Sequence, residues 1–193
     1  MKARDQILRS VLQPAAVDLA NPAAAARLGS LPTGHVLLVE AGGIEAVMAR
    51  YDRELKGVAH HSGARECIAL DEDQAGDLWR RVRDFPAPGG DAVLRLSSTL
   101  ARLGECFQVA GGLPALARAG NGVLWARAPQ PVDLAARARA RGLYAVIESW
   151  AALEKSQAEL WADPGPELQV MSQIKEALDP QHLLNHGRLY NRL

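Results

Sequence analysis

The stretch from residue 113 to residue 127 restricts the fold more than any other. Leu113 to Arg118 and Val123 to Arg127 are extended runs, and Ala119-Gly120-Asn121-Gly122 lies between them. Asn-Gly between such runs is a strong hairpin signal, because both residues tolerate the positive φ of tight turns that match strand twist. At least two strands are therefore antiparallel neighbours. The rest of the chain alternates helical and extended patterns around this hairpin. Residues 10–30 are rich in Ala and Pro, and Asn21-Pro22 is placed as a cap and first-turn proline for a short helix through Leu28, ended by Gly29. His35 to Glu40 is an apolar run of strand length. Ile44, Val47, Met48, Tyr51 and Leu55 then fall at helical spacing, with Gly57 as the expected C-cap. Glu66 to Leu70 reads as a strand. Asp71 caps a helix whose inner face is Ala75, Leu78, Trp79, Val82 and Phe85, with Arg80, Arg81 and Arg83 at its end. Ala92, Leu94 and Leu96 alternate with Val93, Arg95 and Ser97, which predicts a half-buried strand. Asp133 to Arg141 reads as a helix, Leu143 to Glu148 as a strand, and Pro166 opens a last helix packed through Val170, Met171, Ile174 and Leu178. The order, roughly β-α-β-α-β-(α)-ββ-α-β-α, predicts an α+β fold. Its sheet is mainly antiparallel, with helices packed on one face in ferredoxin-like βαβ units, and one domain spans residues 1–193.

Composition narrows the function classes. With 22 basic and 22 acidic residues the chain has no net field to draw in nucleic acid or an anionic membrane. Two cysteines, Cys67 and Cys106, make no disulfide framework and no CxxC pair, which points to a reducing, cytoplasmic setting. No run approaches the ~20 apolar residues that span a bilayer. The fingerprints GxGxxG, GxxxxGK[ST], HExxH and GxSxG do not occur. His60-His61 lacks a carboxylate or thiol at ligand spacing, and no metal is expected. Glu45, Glu54, Glu105, Glu148 and Glu154 are carboxylates that spacing alone does not pair. Trp79 and Trp125 are expected in the core.

The chain ends with LDPQHLLNHGRLY over residues 178–190, after a helix containing Lys175. Asp179-Pro180 stops a helix and Asn185 to Gly187 makes a turn, but that does not account for Leu183, Leu184, Arg188 and Tyr190 in this order. The phrase resembles the "KxxLDPxxxLNPGR" signature of the FAD-linked oxidase family, the vanillyl-alcohol oxidase type. Further segments resemble the same family: PAAVDLANPAAAARL at 14–28, VLLVEAGG at 36–43, WRRVRD at 79–84, VLRLS at 93–97 and AGNGV at 119–123. Together they fit the GlcE-like FAD-binding subunit of glycolate oxidase better than other branches. Two positions depart from the pattern. Where related dehydrogenases carry "HxGDGNxH", Arg118 and Trp125 stand in the places of the metal-ligating histidines, and neither suits a cation. His186 stands where the family usually has Pro.

The resemblance implies a substrate-side, C-terminal cap domain, with residues 1–30 as its lead-in segment, that covers the ring of an FAD held mainly by a separate N-terminal domain. It implies hydride transfer from a small 2-hydroxy acid of the glycolate type, with this chain inactive alone. The implied partners are that FAD-binding domain in cis or trans, a second flavin subunit and an iron-sulfur subunit, so that a cytoplasmic chain sits beside the inner membrane through its complex. By the same resemblance Asn185, Gly187 and Arg188 approach the cofactor, and Arg118, Asn121 and Glu148 approach the substrate. Leu183 and Leu184 are expected to fold back onto the domain. The alternative is a non-enzymatic ferredoxin-like module that binds a small ligand or a protein partner.

Overall fold

A computed structural model describes residues 1–29, 31–150, 160–161 and 164–185. The elements run α1 (Lys2–Arg9), β1 (Ala16–Ala20), α2 (Pro22–Leu28), β2 (Val36–Glu40), α3 (Glu45–Ser62), α4 (Glu72–Asp84) and β3 (Ala92–Ser97), then a 3-10 turn at Leu100–Arg102. They continue with α5 (Leu103–Ala110), β4 (Ala115–Arg118), β5 (Val123–Ala128), α6 (Pro131–Ala140), β6 (Tyr144–Ser149) and α7 (Glu167–Leu178). The six strands make one sheet in the order β2-β1-β4-β5-β3-β6, and every neighbouring pair is antiparallel. The fold is α+β, as the alternation predicts. Residues 92–149 trace the split βαβ order, while β1, α2 and β2 extend the sheet beyond β4.

Strand alternation divides the side chains between two faces. Val17, Leu19, Leu94, Leu96, Ala115, Ala117, Leu124, Ala126, Ala145 and Ile147 enter one core together with Ile7 of α1, Leu103, Cys106 and Val109 of α5, and Leu134 and Ala138 of α6. Alanines on both partners let these helices sit close to the sheet. The opposite face has a shorter cover, where Ala20, Leu38 and Leu116 pack under Ala24 and Leu28 of α2, Leu78 and Val82 of α4, and Phe85 at the C-cap of α4. Beyond this cover, the same side of the sheet carries the polar Asp18, Arg118, Arg95 and Glu148 beside the buried Val93 and Val146.

Local signals hold where a residue's partner is close in sequence. Asn21 caps α2, accepting the Ala24 N–H at 2.9 Å, and Gly29 closes the helix at φ 71°. Asp71 and Gln74 make a capping box on α4. Gly122, at φ 81° in the predicted hairpin turn, has no room for a side chain: a Cβ would lie 2.2 Å from the Ser98 carbonyl oxygen.

Two expectations are corrected, and two placements that the sequence did not give are added. Residues 66–70 form no strand; they are exposed, and no strand of the sheet pairs with them. Helix α3 runs through Gly57 and ends at Gly63, φ 76°, because a glycine inside a helix costs only about 1 kcal/mol and the helix recovers it by continuing. His60 and His61 accordingly lie in the last turn of α3, with rings 5.5 Å apart. Residues 16–20 form a fully integrated central strand that the Ala- and Pro-rich composition concealed.

Candidate functional site

The polar half of the second face is built one residue per strand. Asp18 comes from β1, Arg118 from β4, Trp125 from β5, Arg95 from β3 and Glu148 from β6. Asp18 is 1% exposed and accepts from Arg118 Nη1 at 2.7 Å. The Arg118 guanidinium lies 5.9 Å from the centre of the Trp125 ring, a cation–π distance. Trp125 Nε1 donates to Glu148 Oε2 at 3.0 Å, and Glu148 Oε1 accepts from Arg95 Nε at 2.5 Å. Arg95 also donates through Nη1 to Ser97 Oγ at 3.1 Å. One row of charge and aromatic surface thus crosses five strands.

A bulge makes the far end of this row possible. The β3–β6 register shifts between Val93 and Leu94, leaving Glu148 as an extra residue on β6. Such a bulge re-aims one side chain without breaking the sheet, and here Glu148 meets both Arg95 and Trp125.

The charges are unevenly solvated. Burial pushes the Asp18 carboxyl up to about 6; Arg118 pulls in the opposite direction, and Glu40 on β2 adds to the rise. Asp18 Oδ1 has no hydrogen-bond partner among the described residues. Arg118 is about one-third exposed, so part of its guanidinium faces outward from the sheet. The row joins two exposed-edge cations and one indole face, a set that suits a small carboxylate or the polar edge of a flat heterocycle. A diphosphate asks instead for successive backbone N–H groups at a helix start.

Of the residues expected at the substrate, Arg118 and Glu148 are brought to this row, linked through Trp125. Asn121 is in the hairpin turn, where its Oδ1 accepts the Val123 N–H at 3.2 Å. Asn185 is exposed, with φ 51°, beyond α7; Gly187, Arg188 and His186 lie outside the described residues, as do Glu154 and Tyr190. Trp125 is a correction: it is half-buried and belongs to the row as well as to the edge of the second core. Asp18 and Arg95 were not singled out by sequence. The one available signal for Asp18 is that it interrupts the apolar run Ala15 to Ala20.

The closing phrase has a local geometry of its own. Asp179 accepts the N–H groups of Leu183 (3.0 Å) and Leu184 (2.9 Å) and pairs with Lys175, which also reaches the Leu184 carbonyl. These bonds hold the Asp179 carboxyl down at about 2. The apolar side of this segment is a second correction. Val170, Ile174, Leu178, Leu183 and Leu184 are exposed, Leu178 by 80%, because no other described element lies against that stripe.

An antiparallel α+β sheet with α5 and α6 packed on one face and a partly exposed charged row on the other defines the structural class. Residues 153–189 match the family of FAD linked oxidases, C-terminal domain, a span that contains α7 and the whole Lys175–Asp179–Leu184 turn. No curated protein matches the chain. The match supports an FAD-linked oxidase C-terminal domain, and that class implies FAD and a partner FAD-binding domain. Among the described residues no helix is long and apolar enough to cross a membrane.

Proposed function

We propose that this chain is the substrate-side cap of a flavin-dependent 2-hydroxy-acid oxidase of the glycolate type, GlcE-like in its branch, and that the open polar face covers the flavin ring. One observation carries this placement: the row Asp18, Arg118, Trp125, Arg95 and Glu148 runs across five strands on the face opposite α5 and α6, with Arg118, Arg95 and Glu148 each about one-third exposed. The row fits the polar edge of the ring and the carboxylate of a small acid. FAD, when bound, would supply the hydride acceptor for oxidation of the acid's carbinol carbon. The chain's own task is to bind and orient. Arg118 meets the acid's carboxylate, Glu148 fixes the Trp125 indole beneath it, and Asn121 edges the site from the hairpin turn. Asn185, Gly187 and Arg188 border the cofactor or its domain.

The FAD-binding domain, in cis or trans, docks on the exposed apolar stripe of α7. Val170, Ile174 and Leu178 supply a contact of the kind that a solvated monomer rarely leaves open. Further flavin and iron-sulfur subunits would accept the electrons, and through them the complex sits on the cytoplasmic side of the inner membrane. Hydrogen exchange tests the placement. Adding the FAD-binding domain should slow exchange along α7 and at residues 118–125. Protection confined to α5 and α6, on the opposite side of the sheet, would refute it.

A further inference from the structure

The Asp18–Arg118 pair is asymmetric in a way that an ordinary ion pair is not. Asp18 is buried to 1% exposure and spends one oxygen on Arg118, while its other oxygen has no partner among the described residues. Among the described residues Arg118 donates one hydrogen bond, to that carboxylate, and it stacks on Trp125 with a third of its side chain outward. The charged groups facing Asp18 are Arg118 from β4 and Glu40 from β2; Glu148 and Arg95 stand beyond the indole. A carboxylate held this way is a poor final partner for an arginine, since it is desolvated and only half satisfied.

We propose that Asp18 is a positioning residue that competes with a small monocarboxylate for the Arg118 guanidinium, so that this face takes up its ligand together with a proton. With Asp18 ionised, the pair is neutral, and an arriving anion would leave a net negative charge in a half-buried place. With Asp18 protonated, Arg118 is an uncompensated cation, and the anion restores neutrality. The bound anion in turn favours protonated Asp18, as reciprocal linkage requires. Burial already brings Asp18 to about 6, so the exchange falls in an accessible range. No covalent step is involved. The inference rests on the open face being the ligand-facing surface, and it adds how that surface selects its ligand's charge.

The test uses the full chain without flavin, reading the Arg118 Nε–H resonance by NMR, with glycolate as the probe. In the wild type this resonance should titrate with a midpoint near 6, and Glu40→Gln should lower that midpoint, because Glu40 contributes to the rise. Glycolate stays ionised from about pH 5 to about pH 7.5, and its affinity should rise on the order of tenfold as pH falls across that span. Asp18→Asn, its fold checked by circular dichroism, should bind glycolate with no such dependence. An Arg118 resonance that does not titrate would overturn the proposal, as would equal pH dependence in Asp18→Asn. Because flavin is not involved, a failure here is distinct from failure of the cap reading, which turnover and domain docking decide.

Discussion

The indole N–H of Trp125 reaches Glu148 at 3.0 Å across an intervening strand, since β3 lies between β5 and β6. The contact passes over Arg95, whose guanidinium holds the other oxygen of the same carboxylate. Glu148→Gln keeps an acceptor for the indole but removes the charge. Because the Arg95 pair is at the surface, stability should change by less than about 1 kcal/mol in denaturant titration. Turnover of a 2-hydroxy acid by the assembled enzyme should fall on the order of tenfold, the cost of a misplaced binding group. A loss of several kcal/mol with unchanged turnover would make the residue structural.

Asp18 also predicts how stability depends on pH. Its folded value, about 6, lies above its ordinary value of 3.8. The folded state therefore holds a proton that the unfolded chain has released between these values. The stabilisation is complete below 3.8 and is lost as pH rises through about 6. The full difference is about 3 kcal/mol at most. Urea titrations across that window should show this slope in the wild type and a flatter one in Asp18→Asn. Stability that rises over the same window in the wild type and not in the variant would contradict the assignment.

Asn21 ties a helix start to the sheet. Its Oδ1 accepts from Ala24 and from Ala115 (3.0 Å), and its Nδ2 donates to the Leu113 carbonyl at 2.7 Å. Alanine there removes the cap and strands buried backbone groups, so Asn21→Ala should cost about 2–3 kcal/mol. Aspartate, which keeps the acceptor and loses the donor, should cost less.

What was legible in the sequence is what local chemistry decides. The Asn121-Gly122 hairpin, the Asn21-Pro22 cap and the Asp71–Gln74 box each depend on residues within a few positions of one another. The candidate site depends on distant ones. Asp18 in β1 is tolerated only because Arg118 arrives from 100 residues away, so its run does not look like a central strand from composition. Glu148 is aimed by a bulge that leaves no mark in the residue pattern. Residues 66–70 show the converse: a strand-like pattern remains a loop when no edge receives it. The family phrase at the chain end was visible as a string, but the reason for its Lys, Asp and Leu-Leu spacing emerges only from the turn that they close.

That turn is itself testable. The Asp179 carboxyl is depressed to about 2, below its ordinary value, so its contribution is present above 3.8 and lost as pH falls through about 2. Asp179→Asn should speed amide exchange at Leu183 and Leu184 while leaving the sheet protected. Unchanged exchange there would mean that the backbone alone holds the turn.

Anaerobic reduction of the flavin tests the central claim most directly. With the FAD-binding domain supplied, a 2-hydroxy acid such as glycolate should bleach the flavin's visible absorbance in the wild type. Arg118→Ala should slow this at least tenfold and weaken the substrate's apparent affinity, with flavin content and fold intact. Equal rates and affinities in the two proteins would contradict the assignment of the open polar face as the substrate side of the cap.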